Sequence, residues 1–266
     1  MLYFDVSPDA YARFMGRYSE QLTAAFADLA GVDPGSGSGS GRRALDVGCG
    51  PGVLTAELVR RLGPEAVTAI DPSVPFVAAV RARWPEADVR LGAAEELPFG
   101  DGAFDVALAQ LVVHFMADPV AGLKEMARVT RPGGTVAASV WDHGGGRSPL
   151  TLFWEVARDL DPAVDDGSWR PGGREGELAK LFTQAGLDVT GEAALTVTVR
   201  NTTFEDWWDP FTLGVSPAGA YIASLTDERR AELREHARRR LKPPIDISAT
   251  AWAVTARPGA SEPANR

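Results

Sequence analysis

The chain has 266 residues, 45% hydrophobic and 24% charged, with a formal net charge of −9, which suits one large α/β domain or one domain with a substantial insertion. That charge argues against nucleic acid and anionic membrane surfaces as partners, because both call for a basic face. A single cysteine, Cys49, excludes an internal disulfide framework and any cysteine-based metal cluster; three histidines, none at helical ligand spacing, give no basis for a histidine-built site, so no metal is expected.

No apolar run reaches the roughly 18 residues of a membrane span. Residues 1–9 have neither a basic n-region nor an apolar h-region, so no signal peptide is expected and the chain reads as cytoplasmic. Tyr11, Phe14, Met15, Tyr18, Leu22, Phe26 and Leu29 recur at helical spacing and predict an amphipathic helix over 8–30. Residues 1–33 are accordingly taken as an N-terminal lid. The Gly/Ser-rich run that follows makes 34–42 a flexible linker.

From residue 43 strands and helices alternate. Strands are expected at 43–47, 66–70, 87–91, 104–110 and 135–140, with helices at 53–62, 75–83 and 119–129. Nearly continuous apolar strands separated by helices mean a parallel sheet covered on both faces. The ligand of such a sheet lies beyond the carboxyl ends of the strands, near the topological switch point. After Val140 the rhythm changes: helices at 150–160 and 175–185, a strand at 187–200 and a last strand at 247–256. Residues 43–200 then form the core, which 245–257 completes, and 258–266 read as a disordered tail. Between the last two strands, 201–244 holds Phe204, Trp207, Trp208, Phe211 and Tyr221 and then a charged helix over 227–241. An aromatic insertion of that size is either the core of a cap or the wall of a substrate pocket.

Residues 44–52, Ala-Leu-Asp-Val-Gly-Cys-Gly-Pro-Gly, carry the strongest functional signal. A strand entering a helix through three glycines lets backbone N–H groups approach a ligand. Dinucleotide enzymes favour G-x-G-x-x-G. Here the spacing is G-x-G-x-G, Val53 stands where the third glycine would be, no Tyr-x-x-x-Lys pair occurs, and Lys124, Lys180 and Lys242 lie outside any hydride-transfer site.

The loop resembles motif I of class I S-adenosylmethionine-dependent methyltransferases. Three later stretches extend the likeness over about 40–140. Asp71 ends the second strand, where an acidic residue accepts both ribose hydroxyls; its other reading is an N-cap. Gly92 to Phe99, followed by Phe104-Asp105, is similar to the adenine-side loop of the branch that includes ubiquinone and menaquinone C-methyltransferases. Ala93 stands where members carry an aspartate, which leaves Glu95, backbone or water to meet the adenine amino group, with the Ala94 N–H for a ring nitrogen. Glu125 to Thr135 is similar to the family's helix–turn–strand. The resemblance implies an α/β, Rossmann-like, doubly wound seven-stranded sheet with its last strand antiparallel. It implies S-adenosylmethionine as cofactor and S-adenosylhomocysteine as product. Carried onto this sequence, the cofactor residues are Arg17, Asp46, Gly48, Cys49, Gly50, Asp71, Pro72, Ala94, Glu95 and Gln110.

Methyl transfer is an in-line displacement in which positioning supplies about 7–11 kcal/mol of the barrier. A hydroxyl or activated-carbon acceptor gains from a base. His114, just after the fourth strand, is either that base or a packed residue. Asp142 and His143 also fall on the active edge. Arg17 either reaches the methionine carboxylate from the lid or is a solvated charge. Cys49 needs only to be small. Tyr11, Phe14, Tyr18, Trp141, Trp207, Trp208 and Phe211 are candidate acceptor contacts, or packing. The expected function is methyl transfer to an apolar or aromatic small molecule (a quinone, polyketide or other secondary metabolite) by a monomer or homodimer. The alternative is a protein of the same fold that binds the cofactor and transfers no methyl, a cyclase or a ligand sensor.

Overall fold

The computed structural model describes residues 7–33 and 41–259. The expected linker therefore falls, at 34–40, outside the described residues, as do 260–266 of the expected tail.

The core strands are β1 (Ala44–Val47), β2 (Val67–Asp71), β3 (Asp88–Leu91), β4 (Phe104–Gln110), β5 (Thr130–Trp141), β6 (Leu187–Asn201) and β7 (Ile245–Pro258). They form one seven-stranded sheet in the order β3-β2-β1-β4-β5-β7-β6. β1 to β5 pair in parallel. β7 is antiparallel to both neighbours, β5 and β6. This is the Rossmann-like architecture expected, except that β7 claims Pro258 from the predicted tail.

Side-chain alternation along the strands builds two apolar layers. On one face Phe26 and Ala30 from α2 (Arg17–Leu29) and its C-cap join Leu54, Leu58 and Leu62 of α3 (Val53–Leu62) against Ala44, Val106, Leu108 and Ala137. On the other, Leu123 and Met126 of α5 (Pro119–Val129) and Leu178 and Phe182 of α7 (Glu177–Gln184) cover Leu45, Val47, Ala107, Ala109, Val136 and Ala138. α4 (Val74–Arg83) packs over β2 and β3 through Val77 and Val80. Buried Arg61 fastens α2 to α3, donating to Glu57 Oε1 at 2.7 Å, Asp28 Oδ1 at 2.6 Å and Ala24 O at 3.0 Å.

The N-terminal helix is not the single rod that its periodicity predicts. α1 (Pro8–Tyr11) passes through a π-helical segment, Ala12–Gly16, into α2. The aromatic stripe thereby divides. Tyr11, Met15 and Ser19 reach a cavity, while Phe14, Tyr18 and Leu22 lie in an aromatic cluster that Met15 and Tyr11 also touch. That cluster is the core of the 201–244 segment: α8 (Phe204–Trp208), α9 (Ser216–Ser224) and α10 (Asp227–Arg240) pack with α6 (Thr151–Leu160) on the far halves of β6 and β7. Among the described residues no helix is long and apolar enough to cross a membrane.

Candidate functional site

The strand order reverses between β1 and its neighbours β2 and β4, and ligands of open α/β sheets bind in the crevice at such a reversal. A cavity of about 320 Å³ lies there, along the carboxyl ends of β1 to β5. Its floor is the β1–α3 loop. Gly50 in that loop has φ +53° and nothing within 4 Å of where a Cβ would stand, whereas a Cβ on Gly52 would sit 2.8 Å from the Trp84 ring. The loop does not offer a row of N–H groups, as the glycine pattern suggested. Gly48 N and Cys49 N donate to Ile70 O at 2.8 and 3.1 Å, and Gly50 N donates to Asp71 Oδ2 at 2.8 Å. What faces the cavity is the start of α3, Val53 and Leu54, a helix N-terminus without a side-chain cap. Anionic groups are stabilised at such an end.

Asp71 serves both of its sequence readings. Oδ1 accepts from Ser73 N at 2.8 Å, ahead of α4, while the carboxylate still lines the cavity. An ionised carboxylate offers about four acceptor positions, and the two protein hydrogen bonds leave the others for a ligand hydroxyl pair. Asp46 also lines the cavity, buried, with Thr55 Oγ1 donating to it at 2.6 Å. Burial, reinforced by the Asp71 charge and opposed by the Thr55 hydrogen bond, pushes its carboxyl up to about 7. Burial raises the Cys49 thiol well above its ordinary range, which removes any nucleophilic role. Gly48, Cys49, Pro72, Ala94 and Glu95 border the same space. Glu95 differs from expectation: its Oε1 accepts from Ala117 N at 2.7 Å and Asp118 N at 3.3 Å, so it staples the loop before α5.

The other half of the cavity lies over β4 and β5. Tyr11, Met15 and Ser19 cover it from the N-terminal segment, and Val215, Ser216 and Pro217 from the segment after β6. His114, Phe115, Trp141, His143, Leu150, Asp166 and Arg170 complete the wall. The non-glycine residues with positive φ among the described residues, Leu111 (+63°) and Ser216 (+69°), both border it. Such conformations cost about 1–3 kcal/mol and gather at ligand sites. Among the described residues, five buried polar atoms of the wall have no protein partner: Gln110 Oε1, His114 Nδ1, Trp141 Nε1, His143 Nε2 and Ser216 Oγ. Each leaves a desolvation cost of about 1–3 kcal/mol that a polar ligand can relieve. Burial, the neighbouring His143 and Arg170 hold His114 uncharged, far below its ordinary range. Burial and Arg170 bring His143 down to about 4.

Several expected site residues lie elsewhere. Arg17 points away from the cavity and donates to Asp206 O at 3.0 Å and Arg200 O at 3.4 Å, because its side of the helix faces β6 and α8. Phe14, Tyr18, Trp207, Trp208 and Phe211 are buried in the aromatic cluster; Phe211 stacks on Phe153 with centroids 4.6 Å apart and meets Phe14 and Trp207 edge-on at 5.2 Å. These are packing residues, and Tyr11 and Trp141 alone of the aromatic candidates line the cavity. Gln110 lines it too, but its Nε2 is spent on Ser19 O at 3.2 Å and Thr23 Oγ1 at 3.0 Å. Asp142 is withdrawn, held by Arg147 Nε at 2.7 Å and Gly145 N at 2.9 Å. Arg170 and Asp166 were missed because they sit in an irregular segment where no periodicity marks a buried position, and Ser216 because it only opens α9.

The model of a family described as a methyltransferase domain matches residues 45–138, the stretch that builds the floor and brings His114 and Phe115 to the wall. An uncharacterized methyltransferase of Mycobacterium tuberculosis (strain ATCC 25618 / H37Rv) is 38% identical over 130 residues, 47% of this chain and 50% of the relative. Over residues 45–138 the chain is thus similar to a methyltransferase domain. The cofactor that this likeness implies is S-adenosylmethionine. The chain spans about half the length of the curated relatives it matches first. Among solved structures, the domain's fold is similar to that of geranyl diphosphate C-methyltransferase from Streptomyces coelicolor A3(2), with TM-score 0.53, 16% identity and coverage of 91% of this chain and 80% of that one. It is also similar to that of the cyclase SpnF, with TM-score 0.55, 20% identity and coverage of 91% and 81%. At these identities the likeness is one of fold.

The residues present fit the cofactor. The open side of Gly50 leaves room along the loop, the α3 N-terminus suits a carboxylate, and Asp71 retains acceptor positions for a ribose diol. Burial leaves Asp46 in want of a cationic partner, and an α-ammonium supplies one.

Proposed function

We propose that this protein transfers a methyl group from S-adenosylmethionine to an apolar or aromatic small-molecule acceptor. The observation that carries the reading is the division of one cavity: glycine loop and two carboxylates at β1 and β2, aromatic and apolar walls with a neutral histidine at β4 and β5. The cofactor supplies an electrophilic methyl. The chain's own contribution is to bind both molecules in one dry space, with Asp71 and the α3 N-terminus fixing the donor and Trp141, Leu111 and Leu150 receiving the acceptor's apolar body. His114 is positioned to take a proton, uncharged because burial disfavours the imidazolium. The quinone, polyketide or other secondary metabolites expected from the sequence belong to this acceptor class.

The test has two parts. S-adenosylhomocysteine should raise the melting temperature in proportion to the logarithm of its concentration, since a ligand of the native state must stabilise it. Transfer of labelled methyl to a panel of phenols and quinones should then be detectable. Binding of the unreacted sulfonium without turnover on any acceptor would instead favour a non-transferring protein of the same fold.

A further inference from the structure

The aromatic side chains of the 201–244 segment pack away from the cavity, yet the same segment delivers Ser216 to its wall. Ser216 is 4% exposed, and its backbone has φ +69°. A non-glycine residue seldom adopts that conformation, and one that precedes a proline, as Ser216 precedes Pro217, is pushed toward extended backbone instead. The surrounding turn holds it there. Val215 and Ala218, on either side of Ser216 and Pro217, are fully buried in the aromatic cluster. Gly214 has φ +74°, and a Cβ on Gly219 would meet the Gly214 carbonyl carbon at 2.7 Å, so two glycines close the turn by direct backbone contact. Gly219 N donates across it to Val215 O at 3.3 Å. A strained residue persists only where its neighbours over-determine it, and the 214–219 turn is built that way.

The turn itself gives no reason for a serine. A serine kept for local structure would bond its hydroxyl to nearby backbone, whereas the buried Ser216 Oγ has no protein partner among the described residues. A glycine would relieve the strain. What the serine adds is a hydroxyl on the cavity wall. Trp141 Nε1 on the same wall is also buried without a partner, and an indole nitrogen can only donate. An oxygen with free lone pairs suits both donors. A hydroxyl and an indole N–H carry no charge to offset that of a buried ionised group, so the oxygen they suit is that of an uncharged carbonyl.

Resting on the methyl-transfer reading above, we propose that Ser216 is an acceptor-binding residue: its hydroxyl donates to an uncharged carbonyl oxygen on the acceptor's apolar body. The clamped 214–219 turn keeps that hydroxyl at the wall at a loss of stability. The specificity that follows is for an acceptor that carries a ketone or similar carbonyl in addition to its reacting atom.

Two substitutions separate the hydroxyl from the strain. Ser216→Ala removes the hydroxyl alone, and Ser216→Gly also removes the Cβ that resists positive φ. With no partner to lose, Ser216→Ala should melt no lower than the parent, and Ser216→Gly should melt about 2–4 °C above Ser216→Ala. Calorimetric titration of the protein saturated with S-adenosylhomocysteine then compares 6-hydroxy-1-tetralone with 5,6,7,8-tetrahydro-2-naphthol, the same bicyclic phenol with and without a carbonyl. The ketone should bind the parent about fivefold more tightly than the naphthol, the gain from one hydrogen bond. Both variants should bind the two phenols equally and keep the parent's S-adenosylhomocysteine affinity. A Ser216→Ala protein that melts lower than the parent, a ketone preference that is absent from the parent or survives both substitutions, or no saturable binding of either phenol would overturn the assignment. Failure of S-adenosylhomocysteine itself to bind the parent would instead remove the methyl-transfer reading beneath it.

Discussion

The Gly50 backbone N–H donates to Asp71 Oδ2 at 2.8 Å, so that the β1–α3 loop and the end of β2 are one hydrogen-bonded unit. The Asp71 carboxylate is at once a ligand group and the fastener of the loop that a ligand must lie along. Charge-assisted hydrogen bonds of this kind contribute about 1.5–3 kcal/mol each. Asp71→Ala should therefore weaken S-adenosylhomocysteine binding by at least tenfold, read as loss of the thermal shift that the ligand gives the parent protein. Retention of the full shift would remove Asp71 from the cofactor site.

Two glycines of one motif should fail in different ways. A Cβ at Gly52 meets the Trp84 ring at 2.8 Å with φ at +92°, so Gly52→Ala should lower the melting temperature without ligand. Gly50 has φ +53° and open space. Gly50→Ala should cost about 1 kcal/mol of stability from backbone strain and chiefly reduce cofactor affinity. Comparing apo melting curves with ligand titrations for the two variants separates the roles; equal loss of both properties in both variants would contradict them.

The half of the cavity built around the β1–α3 loop was legible because its residues are fixed by chain-local geometry. Asp46, Gly48, Gly50 and Asp71 close strands or sit in the turn after one, and strand–loop–helix order places them at one edge. The half over β4 and β5 depends on which face of a helix meets which neighbour. Tyr11 and Phe14 belong to one apparent stripe, yet the π-helical segment between α1 and α2 turns Tyr11 to the cavity and Phe14 to the aromatic core. Arg17 follows Phe14 and leaves the site with it. No spacing rule announces Arg170, which reaches the wall from the irregular stretch between α6 and α7.

The aromatic residues of 201–244 act through packing. Phe211 is 4% exposed and touches Phe14, Phe153 and Trp207. Phe211→Ala should cost about 3–5 kcal/mol, as for other buried phenylalanines, measured by chemical denaturation. The S-adenosylhomocysteine dissociation constant of the folded fraction should change little. A large change in affinity with unaltered stability would return Phe211 to the binding site.

If Asp46 meets the cofactor's α-ammonium as proposed, binding should depend on pH. Its folded-state carboxyl sits at about 7 against an ordinary value of 3.8, raised mainly by burial. The fold thus favours the protonated form. The contribution of Asp46 to stability is present below the unfolded value and is lost as pH rises from about 4 through about 7, because ionisation then strands a charge in a dry site. Asp46→Asn keeps an oxygen for the Thr55 hydroxyl and removes the titration, so its stability relative to the parent should increase across that window and level off above it. The α-ammonium of a bound amino-acid moiety reverses the penalty by favouring the carboxylate. At pH 6, S-adenosylhomocysteine binding should therefore release protons from the parent protein and release fewer from Asp46→Asn, measured by titration calorimetry in buffers of different ionisation enthalpy. Proton uptake on binding, or equal release from both proteins, would show that the ammonium is held elsewhere.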